Sequence, residues 1–322
     1  MVITDRFLIT GFSGFVSKHF LDFLESEKKE VHIVGIDLHP PSFNIKNFNY
    51  VKCDFLKVDL LNKAELEKVI AEFKPNYVLH LASFSSVALS WKKPVESFTN
   101  NTNIFLNLIE TIRSLNLKCR ILSVGSSEEY GNVNEIELPL KENHVLKPNS
   151  PYAVARVSQE MLSKVYADSY GLDIIMTRSF NHIGTYQKDI FVVSSFAKQL
   201  TNLKNNGSEI KEISTGDTSV IRDFVDVRDV VKAYYLLFKK GKQGEVYNIC
   251  SGKGISLNEV IQIMASILEM SVVQTVDRQL VRPSDIKKII GSNEKIKIET
   301  GWSNTISIQQ SLKDILEYYK LH

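Results

Sequence analysis

The segment RFLITGFSGFVS, residues 6–17, joins a short apolar run to a glycine-bearing turn and then to an amphipathic stretch. Gly11 and Gly14 allow a tight turn. A helix that starts directly after them points unpaired backbone N–H groups and the positive end of its dipole at that turn. Ser17 stands where a third small residue lets the helix pack closely on the strand. The pattern predicts a phosphate-binding loop, and an ordinary strand-to-helix turn is the alternative.

Asp37 closes the second apolar run, about 20 residues after the glycines. A carboxylate at this position accepts hydrogen bonds from both hydroxyls of an adenosine ribose and repels a 2′-phosphate. The residues that follow, 38–41, include no Lys or Arg. The pattern therefore favours NAD(H) over NADP(H) as the cofactor, and an aspartate that only caps a turn or helix is the alternative.

Short apolar runs alternate with amphipathic stretches through the first half of the chain. Strands are predicted at 6–10, 31–37, 77–83, 119–126 and 172–179, and long helices at 151–170 and 227–240. Strands that are apolar on both faces are typical of a parallel sheet covered by helices on both sides. We predict an α/β fold: a Rossmann-type doubly wound parallel sheet with a smaller α/β C-terminal substrate lobe. The predicted dinucleotide-binding domain spans 1–180 with a contribution from 224–258, and the sugar-nucleotide-binding lobe spans 181–223 and 259–322.

Ser126 ends a predicted strand in SVGSSEEYG, and Tyr152 begins the long helix in NSPYAVARVSQE. A phenol can exchange a proton with a substrate hydroxyl or carbonyl, and a serine hydroxyl can share the same oxygen. Arg156 follows Tyr152 by four residues, so it lies on the same helix face, where its positive charge favours a phenolate. These residues predict alcohol–ketone redox chemistry, and a packing aromatic at the helix start is the alternative for Tyr152.

With these residues the chain resembles the extended short-chain dehydrogenase/reductase family, and within it the group of GDP-6-deoxy-4-keto-D-mannose reductases and GDP-mannose 4,6-dehydratases. The matching stretches are HLASFSSV (80–87), SVGSSEEYG (123–131), NSPYAVARVSQE (149–160), RSFNHIG (178–184), IRDFVDVRDVV (221–231), YNICSGKG (247–254) and RPSDIKKIIGSNEKIKIETGW (282–302). The family carries Lys where Arg156 stands. We therefore expect altered or slower chemistry at this site.

The resemblance implies three sets of site residues. The cofactor set is Gly11, Ser13, Gly14, Phe15, Val16, Asp37, Asp59, Leu60, Leu81, Ala82, Ser83, Tyr152, Arg156, Phe180 and His182. The catalytic set is Ser126, Tyr152 and Arg156, with Glu128 where dehydratases keep a carboxylate for elimination. The substrate set is Ser85, Ser86, Ser127, Asn181, Arg222 and Arg282. The alternatives are Asp54 in place of Asp59, Glu128 as a turn cap, His182 as a core histidine, both arginines as surface ion-pair partners, and an Arg228–Asp229 ion pair at a helix start.

The implied function is an NAD-dependent oxidoreductase acting at C-4 of a GDP-linked manno-configured hexose or heptose. It would work as a 4-dehydrogenase or a 4-keto reductase in the synthesis of surface-polysaccharide sugars. A GDP-mannose-type 4,6-dehydratase is the alternative enzyme, because Glu128 is present. A cofactor-binding scaffold without turnover is the alternative of another class, because Ser17 and Arg156 depart from the family pattern.

Composition argues against several other classes of protein. Lys and Arg number 39 against 37 Asp and Glu, a net charge of +2 that is too balanced for a nucleic-acid binder. The cysteines, Cys53, Cys119 and Cys250, lack metal-ligand spacing, so we expect reduced thiols in a cytoplasmic protein and no metal site. No apolar stretch approaches the length of a membrane span, so no membrane association is expected. The family resemblance implies a homodimer or homotetramer formed through helices near 94–116 and 151–170.

Overall fold

The strands and helices of the protein come from a computed structural model that describes residues 4–206, 211–281 and 286–321. The strands are β1 (Asp5–Thr10), β2 (Val31–Asp37), β3 (Val51–Lys57), β4 (Tyr77–His80), β5 (Arg120–Ser126), β6 (Asp173–Ser179), β7 (Asn181–Ile183), β8 (Glu212–Thr215), β9 (Ile221–Asp226), β10 (Val246–Ile249), β11 (Gly254–Ser256) and β12 (Val273–Val276). The helices are α1 (Phe15–Ser26), α2 (Lys63–Phe73), α3 (Val87–Lys92), α4 (Pro94–Ser114), α5 (Pro151–Tyr170), α6 (Val192–Asn205), α7 (Val227–Lys240), α8 (Leu257–Ile267), α9 (Glu294–Thr300) and α10 (Ile308–Leu321).

The main sheet has seven parallel strands in the order β10-β6-β5-β4-β1-β2-β3. Side chains of β1 alternate between its faces: Phe7 and Ile9 pack with α1 and α7, whereas Leu8 packs with α2, α4 and α5. Helices therefore cover both faces, and the predicted doubly wound α/β fold is confirmed. The strand order reverses between β1 and β4, and sheets of this kind bind ligands beyond the carboxyl ends of the strands at that point.

A second group of elements lies beside the carboxyl edge of the main sheet. It contains the sheet β11-β9-β7 and the strand pair β12-β8, with α6, α8 and α10 around an apolar core that includes Phe196, Val260 and Leu312. The helix α9 packs against α7 and β10 rather than in this core. The division of the chain into two lobes stays a prediction, with α9 on the side of the main sheet.

Candidate active site

The glycine turn between β1 and α1 is built for close backbone approach. Gly11 has a φ of +68°, and a Cβ on it would lie 2.6 Å from the backbone nitrogen of Ala82. Gly14 caps α1 without a side-chain hydrogen bond, so no side chain occupies the amino end of this helix. Ser17 is fully buried with its Oγ 3.5 Å from the Gly11 carbonyl oxygen. The turn fits a phosphate group, because the cradle is tight and the first N–H groups of α1 point into it. Two predicted cofactor residues lie half-buried directly after the turn: Phe15 and Val16.

Asp37 lies at the carboxyl end of β2, where three backbone N–H groups orient its carboxylate, that of His39 at the longest distance, 3.4 Å. It accepts hydrogen bonds from Ser13 N at 3.0 Å and from Leu38 N at 2.7 Å. A carboxylate has about four lone-pair sites, so capacity remains for ribose hydroxyls. The local fold therefore fixes the glycine turn and Asp37 relative to one another.

Asp59 and Asp54 occupy different environments. Asp59 is exposed just beyond the end of β3, and its Oδ1 accepts a hydrogen bond from Leu61 N at 2.9 Å. Asp54 lies within β3 and pairs with His32 at 2.7 Å. Only Asp59 therefore sits at the carboxyl edge, next to the buried Leu60.

The loop after β4 is anchored at two points. Ala82 N donates to Thr10 Oγ1 at 3.2 Å, and Phe84 N donates to the buried Asn101 Oδ1 at 2.7 Å. These bonds hold the loop over the glycine turn. Three predicted cofactor residues lie half-buried on it: Leu81, Ala82 and Ser83.

Two predicted substrate residues end this loop. Ser85 is exposed, whereas the Ser86 hydroxyl caps α3 by accepting from Leu89 N at 3.2 Å. Ser86 therefore has a structural partner that the sequence did not reveal, and Ser85 presents the more accessible hydroxyl.

Ser126 ends β5 and starts a short turn of 3₁₀ helix, Ser127–Tyr130. Its Oγ accepts a hydrogen bond from Glu128 N at 3.2 Å, and its own N–H donates to Glu129 Oε1 at 2.7 Å. Ser127 is buried and Glu128 is half-buried in the same turn. The turn therefore fixes the backbone and side chain of Ser126 at the carboxyl edge of the sheet.

Tyr152 and Arg156 lie on the first turns of α5, as predicted from their spacing. The Arg156 guanidinium carbon is 5.1 Å from the centre of the Tyr152 ring, and both residues are largely buried. Arg156 Nη1 donates to Gln159 Oε1 at 2.7 Å and to the Val124 carbonyl oxygen at 3.2 Å. The guanidinium is therefore held against β5 rather than extended freely into the crevice.

Tyr234 of α7 is a site residue that the sequence did not reveal. Its hydroxyl lies 3.0 Å from Ser179 Oγ and 3.2 Å from His182 Nε2, and Ser179 is the sheet partner of Ser126. Burial raises the pKa of Tyr234, and the charges of Arg156 and Tyr152 are close enough to affect it. These contacts bring α5, α7, β5, β6 and β7 together around one small polar cluster.

His182 is a neutral imidazole in this cluster. Burial lowers its pKa to about 4. Its Nδ1 is buried and has no hydrogen-bond partner among the residues that the structure describes. A neutral ring with an unsatisfied polar atom fits a position beside a polar ligand better than a satisfied core position.

The remaining predicted residues lie after β6, on or near β7 and β9. The Phe180 ring packs toward Gly291, where a Cβ would lie 2.4 Å from it, so its side chain belongs to a small apolar core. Asn181 is half-buried on β7, and Arg222 is buried on β9 with its Nη1 donating to the Ile221 carbonyl at 3.0 Å. Arg282 lies outside the described residues.

Within the described ranges, no group of three or more His, Cys, Asp and Glu side chains is arranged to hold a metal ion. The helices of those ranges are all too short or too polar to cross a membrane.

A family profile, sequence relatives and a solved structure all match this chain and belong to related groups of proteins. The sequence profile of the family described as GDP-mannose 4,6 dehydratase matches residues 8–315. GDP-6-deoxy-D-mannose reductase from Pseudomonas aeruginosa is 32% identical over 314 residues, which cover 98% of this chain and 97% of the reductase. GDP-6-deoxy-D-talose 4-dehydrogenase from Aggregatibacter actinomycetemcomitans is 27% identical over 90% of each chain. A solved structure of RMD from Pseudomonas aeruginosa complexed with NADPH has a TM-score of 0.84 at 31% identity, covering 99% of this chain and 100% of that one.

These matches run through nearly the whole chain, and the predicted resemblance is confirmed. The chain belongs to the GDP-mannose 4,6-dehydratase family, within the extended short-chain dehydrogenases/reductases.

Proposed function

We propose that this protein is an NAD-dependent oxidoreductase that interconverts a hydroxyl and a ketone at C-4 of a GDP-linked manno-configured hexose or heptose, in the synthesis of surface-polysaccharide sugars. One observation carries the proposal. The glycine turn with Asp37 and the cluster of Ser126, Tyr152 and Arg156 lie along the same carboxyl edge of one sheet. A dinucleotide bound at the first can reach the second.

NAD(H) is the proposed cofactor. The Ser13 and Leu38 N–H groups direct the Asp37 carboxylate at the end of β2, where it would accept ribose hydroxyls and repel a 2′-phosphate. The related RMD structure contains NADPH, so cofactor choice is expected to differ between the two proteins. Asp37, with no cation at 38–41, is the reason for that expectation.

The chemistry of the site follows from its own side chains. When bound, the nicotinamide ring accepts a hydride from C-4 or returns it. Tyr152 takes the proton of the C-4 hydroxyl in the oxidative direction and returns it to the oxygen in the reductive direction. Ser126 donates a hydrogen bond to that oxygen, and Arg156 keeps a positive charge beside the Tyr152 ring. His182 stays neutral at physiological pH because burial lowers its pKa to about 4, so it adds no positive charge to the site.

The substrate site is proposed to include Ser85, Ser127, Asn181 and Arg222. Arg222 supplies a buried guanidinium on β9, which suits the charge-assisted hydrogen bonds that a diphosphate accepts. Dehydratase activity is the second candidate, because the half-buried Glu128 lies two residues after Ser126 at the same strand end. A scaffold without turnover is the third.

Turnover with a substrate panel tests the proposal. Purified protein is mixed with GDP-mannose, GDP-6-deoxyhexoses or GDP-heptose and NAD+, and NADH absorbance and product mass are followed. Loss of two hydrogens with NADH formation supports a 4-dehydrogenase, gain of two hydrogens by a GDP-4-keto-6-deoxyhexose with NADH oxidation supports a 4-keto reductase, and loss of water without net NADH supports the dehydratase. No change in any of these mixtures refutes an enzyme of this class.

The Tyr152→Phe variant tests whether Tyr152 is the acid/base of the proposed reaction. Removal of the phenol hydroxyl is expected to lower kcat by about 10²- to 10⁴-fold, the usual contribution of a positioned acid/base. Tyr50→Phe is the matched control, since Tyr50 is exposed just before β3, at the opposite edge of the sheet. Unchanged turnover in Tyr152→Phe would remove Tyr152 from the mechanism.

We also propose that the protein forms a homodimer, or a tetramer built from such dimers, through one face of α4 and α5. Exposed apolar side chains lie on these two helices, with Trp91 at the adjoining end of α3: Val95, Phe98, Val154, Met161 and Val165. Val154, Met161 and Val165 recur at helical spacing, so they form a single stripe along α5. A contiguous exposed apolar patch of this kind is typical of an interface.

Analytical ultracentrifugation tests this interface. The Val154→Glu/Val165→Glu double variant is expected to sediment as a monomer, because two charges would be buried without partners at the contact. Ile298→Glu is the control, since Ile298 is 77% exposed on α9, away from α4 and α5. A double variant that keeps the wild-type mass would rule out this face.

A further inference from the structure

Glu129, directly after the site carboxylate Glu128, has a place in the fold that neither the proposed chemistry nor the motif accounts for. Its side chain is completely buried, and Oε1 accepts the Ser126 N–H at 2.7 Å. In return, the Ser126 side chain caps the turn that carries Glu129. The buried carboxyl group of Glu129 therefore fixes the backbone of Ser126.

The carboxyl group occupies space that a glycine leaves open. A Cβ on Gly125 would lie 2.5 Å from Glu129 Oε1 and 2.5 Å from the Thr177 carbonyl oxygen. Glu129 Oε1 thus lies over Gly125, near the Thr177 carbonyl of the paired strand β6. Only a residue without a side chain at 125 permits this position.

The far side of the Glu129 carboxyl meets a buried ion pair. Glu160 of α5 accepts two hydrogen bonds from Arg178 of β6, both at 2.8 Å, and a third from Lys164 at 2.9 Å. The Glu160 carboxylate lies close enough to Glu129 for its negative charge to raise the pKa of Glu129. Arg178 reaches further to the Glu142 carbonyl oxygen at 2.9 Å, so the ion pair is anchored on both sides.

The charges around this pair favour a proton on Glu129. Arg178 and Lys164 already neutralise Glu160, whereas Glu129 Oε2 has no donor among the described residues. Burial and the negative charge of Glu160 raise the pKa of Glu129 well above its ordinary value. A neutral Glu129 can accept a hydrogen bond from Ser126 N with one oxygen and donate one to Glu160 with the other. Both oxygens of the Glu129 carboxyl group then have a partner.

We propose that Glu129 is a positioning residue that bridges the Ser126 backbone to the Glu160–Arg178 ion pair and thereby fixes Ser126 relative to α5. The same helix carries Tyr152, so the bridge sets the distance between the hydroxyl donor and the proposed acid/base. The inference rests on the proposed function only for the roles of Ser126 and Tyr152.

Turnover of three variants tests the bridge. Glu129→Gln keeps an acceptor for Ser126 N and a donor for Glu160, so kcat is expected to stay near the wild-type value. Glu129→Leu keeps the volume and removes both bonds. It is expected to lower kcat by about 100-fold, the effect of a misplacement of about 1 Å, with the KM for the GDP-sugar unchanged. Glu129→Asp, which is one methylene short, provides a milder variant that is expected to show the same loss in smaller degree.

Glu259→Leu is the matched control. Glu259 forms the same reciprocal cap with Ser256 at the start of α8, in the other lobe. Its loss is expected to leave kcat unchanged. A kcat of wild-type size in both Glu129→Leu and Glu129→Asp would overturn the inference, and so would a loss in Glu129→Gln equal to that in Glu129→Leu.

Hydrogen exchange of the Ser126 amide gives a readout that needs no substrate. The amide is expected to be protected in the wild type and in Glu129→Gln, and to exchange about tenfold faster in Glu129→Leu, as expected for loss of one hydrogen bond. Equal exchange in all three proteins would overturn the bridge. Wild-type protein that is inactive on every GDP-sugar would refute the proposed function, and the exchange rates would still decide the inference.

Discussion

Two separate constraints require glycine at position 11. The φ of +68° lies in the left-handed region that side chains disfavour, and a Cβ would also lie 2.6 Å from the Ala82 backbone nitrogen. Gly171, at the end of α5, has a φ of +67° but no atom within 4 Å of the corresponding Cβ position. Comparison of Gly11 with Gly171 therefore separates the effect of backbone conformation from the effect of close packing.

Alanine substitution at these glycines is expected to give different losses of stability. Gly171→Ala should lower the free energy of unfolding by about 1 kcal/mol, because only the backbone conformation is disfavoured. Gly11→Ala should cost more and should also weaken NAD+ binding, because the turn must move away from the loop after β4. Urea unfolding and calorimetric NAD+ titration measure both effects. Equal stability losses with unchanged NAD+ affinity would contradict the packing argument.

Arg156 is adapted to its surroundings, since its guanidinium contacts Gln159, Val124 and the Tyr152 ring together. A lysine ammonium cannot make these planar contacts at the same time. Arg156→Lys is therefore expected to lower kcat about tenfold, equivalent to about 1.4 kcal/mol of transition-state stabilisation. Arg113→Lys, at an exposed ion pair with Glu110, is the control. A higher kcat in Arg156→Lys would show that the arginine is a handicap.

The sequence predicts residues whose role depends on local spacing, and it misses those whose role depends on distant contacts. Tyr152 and Arg156 share a helix face by their spacing alone, and Asp37 is marked by its distance from the glycines. Tyr234 lies on the buried stripe of α7, where an aromatic residue is typical of a core. Its hydroxyl acquires a role through Ser179 and His182, which lie 55 and 52 residues away in the chain.

Among the elements, β2, α5 and α7 have the bounds that the sequence predicts. The apolar pattern of β2 is continuous, and the two helices are capped at their ends. The edge strand β3 was missed, since exposed Lys52 and Asp54 interrupt its apolar residues. The three-residue strands β7 and β11 are too short to show any periodicity. Their pairing with β9 arises from tertiary contacts.

At the start of α7, Arg228 and Asp229 each have other partners than the ion pair expected between them. Arg228 instead pairs with Asp226 at 2.8 Å and with Asp314 at 2.7 Å. Asp229 is buried and accepts hydrogen bonds from Thr305 N, Thr305 Oγ1 and Ile306 N at 2.8, 2.9 and 2.9 Å. The carboxylate therefore ties α7 to the segment before α10.

Substitution of the two aspartates that meet this helix start should distinguish their roles. Asp229→Ala removes a buried carboxylate that accepts three hydrogen bonds, so it is expected to lower the free energy of unfolding by about 3 kcal/mol. Asp314→Ala removes a partly exposed ion pair and an exposed hydrogen bond from Gln310, and is expected to cost less than about 1 kcal/mol. Urea unfolding of both variants compares them directly. A smaller loss in Asp229→Ala than in Asp314→Ala would contradict this account of the helix start.

At the scale of the whole molecule, buried ionisable groups along the carboxyl edge link stability to pH in opposite directions. Burial and the nearby Arg156 charge lower the pKa of His80 to about 3, and burial lowers that of His182 to about 4. Burial raises the pKa of Asp223 to about 6. As the pH falls, the unfolded chain protonates both imidazoles first, which lowers stability, whereas the folded chain protonates Asp223 first, which raises it. The wild-type curve is therefore flatter than the two imidazoles alone would make it.

Replacing one of these imidazoles should reveal how much it contributes to the pH dependence of the free energy of unfolding. The contribution of His80 is fully present above about pH 6.5 and is lost as the pH falls toward its folded value, because only the unfolded state binds the proton. The stability difference between wild type and His80→Asn is thus expected to fall by about 1 kcal/mol from pH 6 to pH 5. The constant cost of the lost packing cancels in this comparison. His39→Asn, at an exposed position after β2, is the control. A stability difference between wild type and His80→Asn that did not change with pH would mean that the folded protein binds a proton at His80 as readily as the unfolded chain does. The assignment of His80 to a buried environment that lowers its pKa would then be wrong.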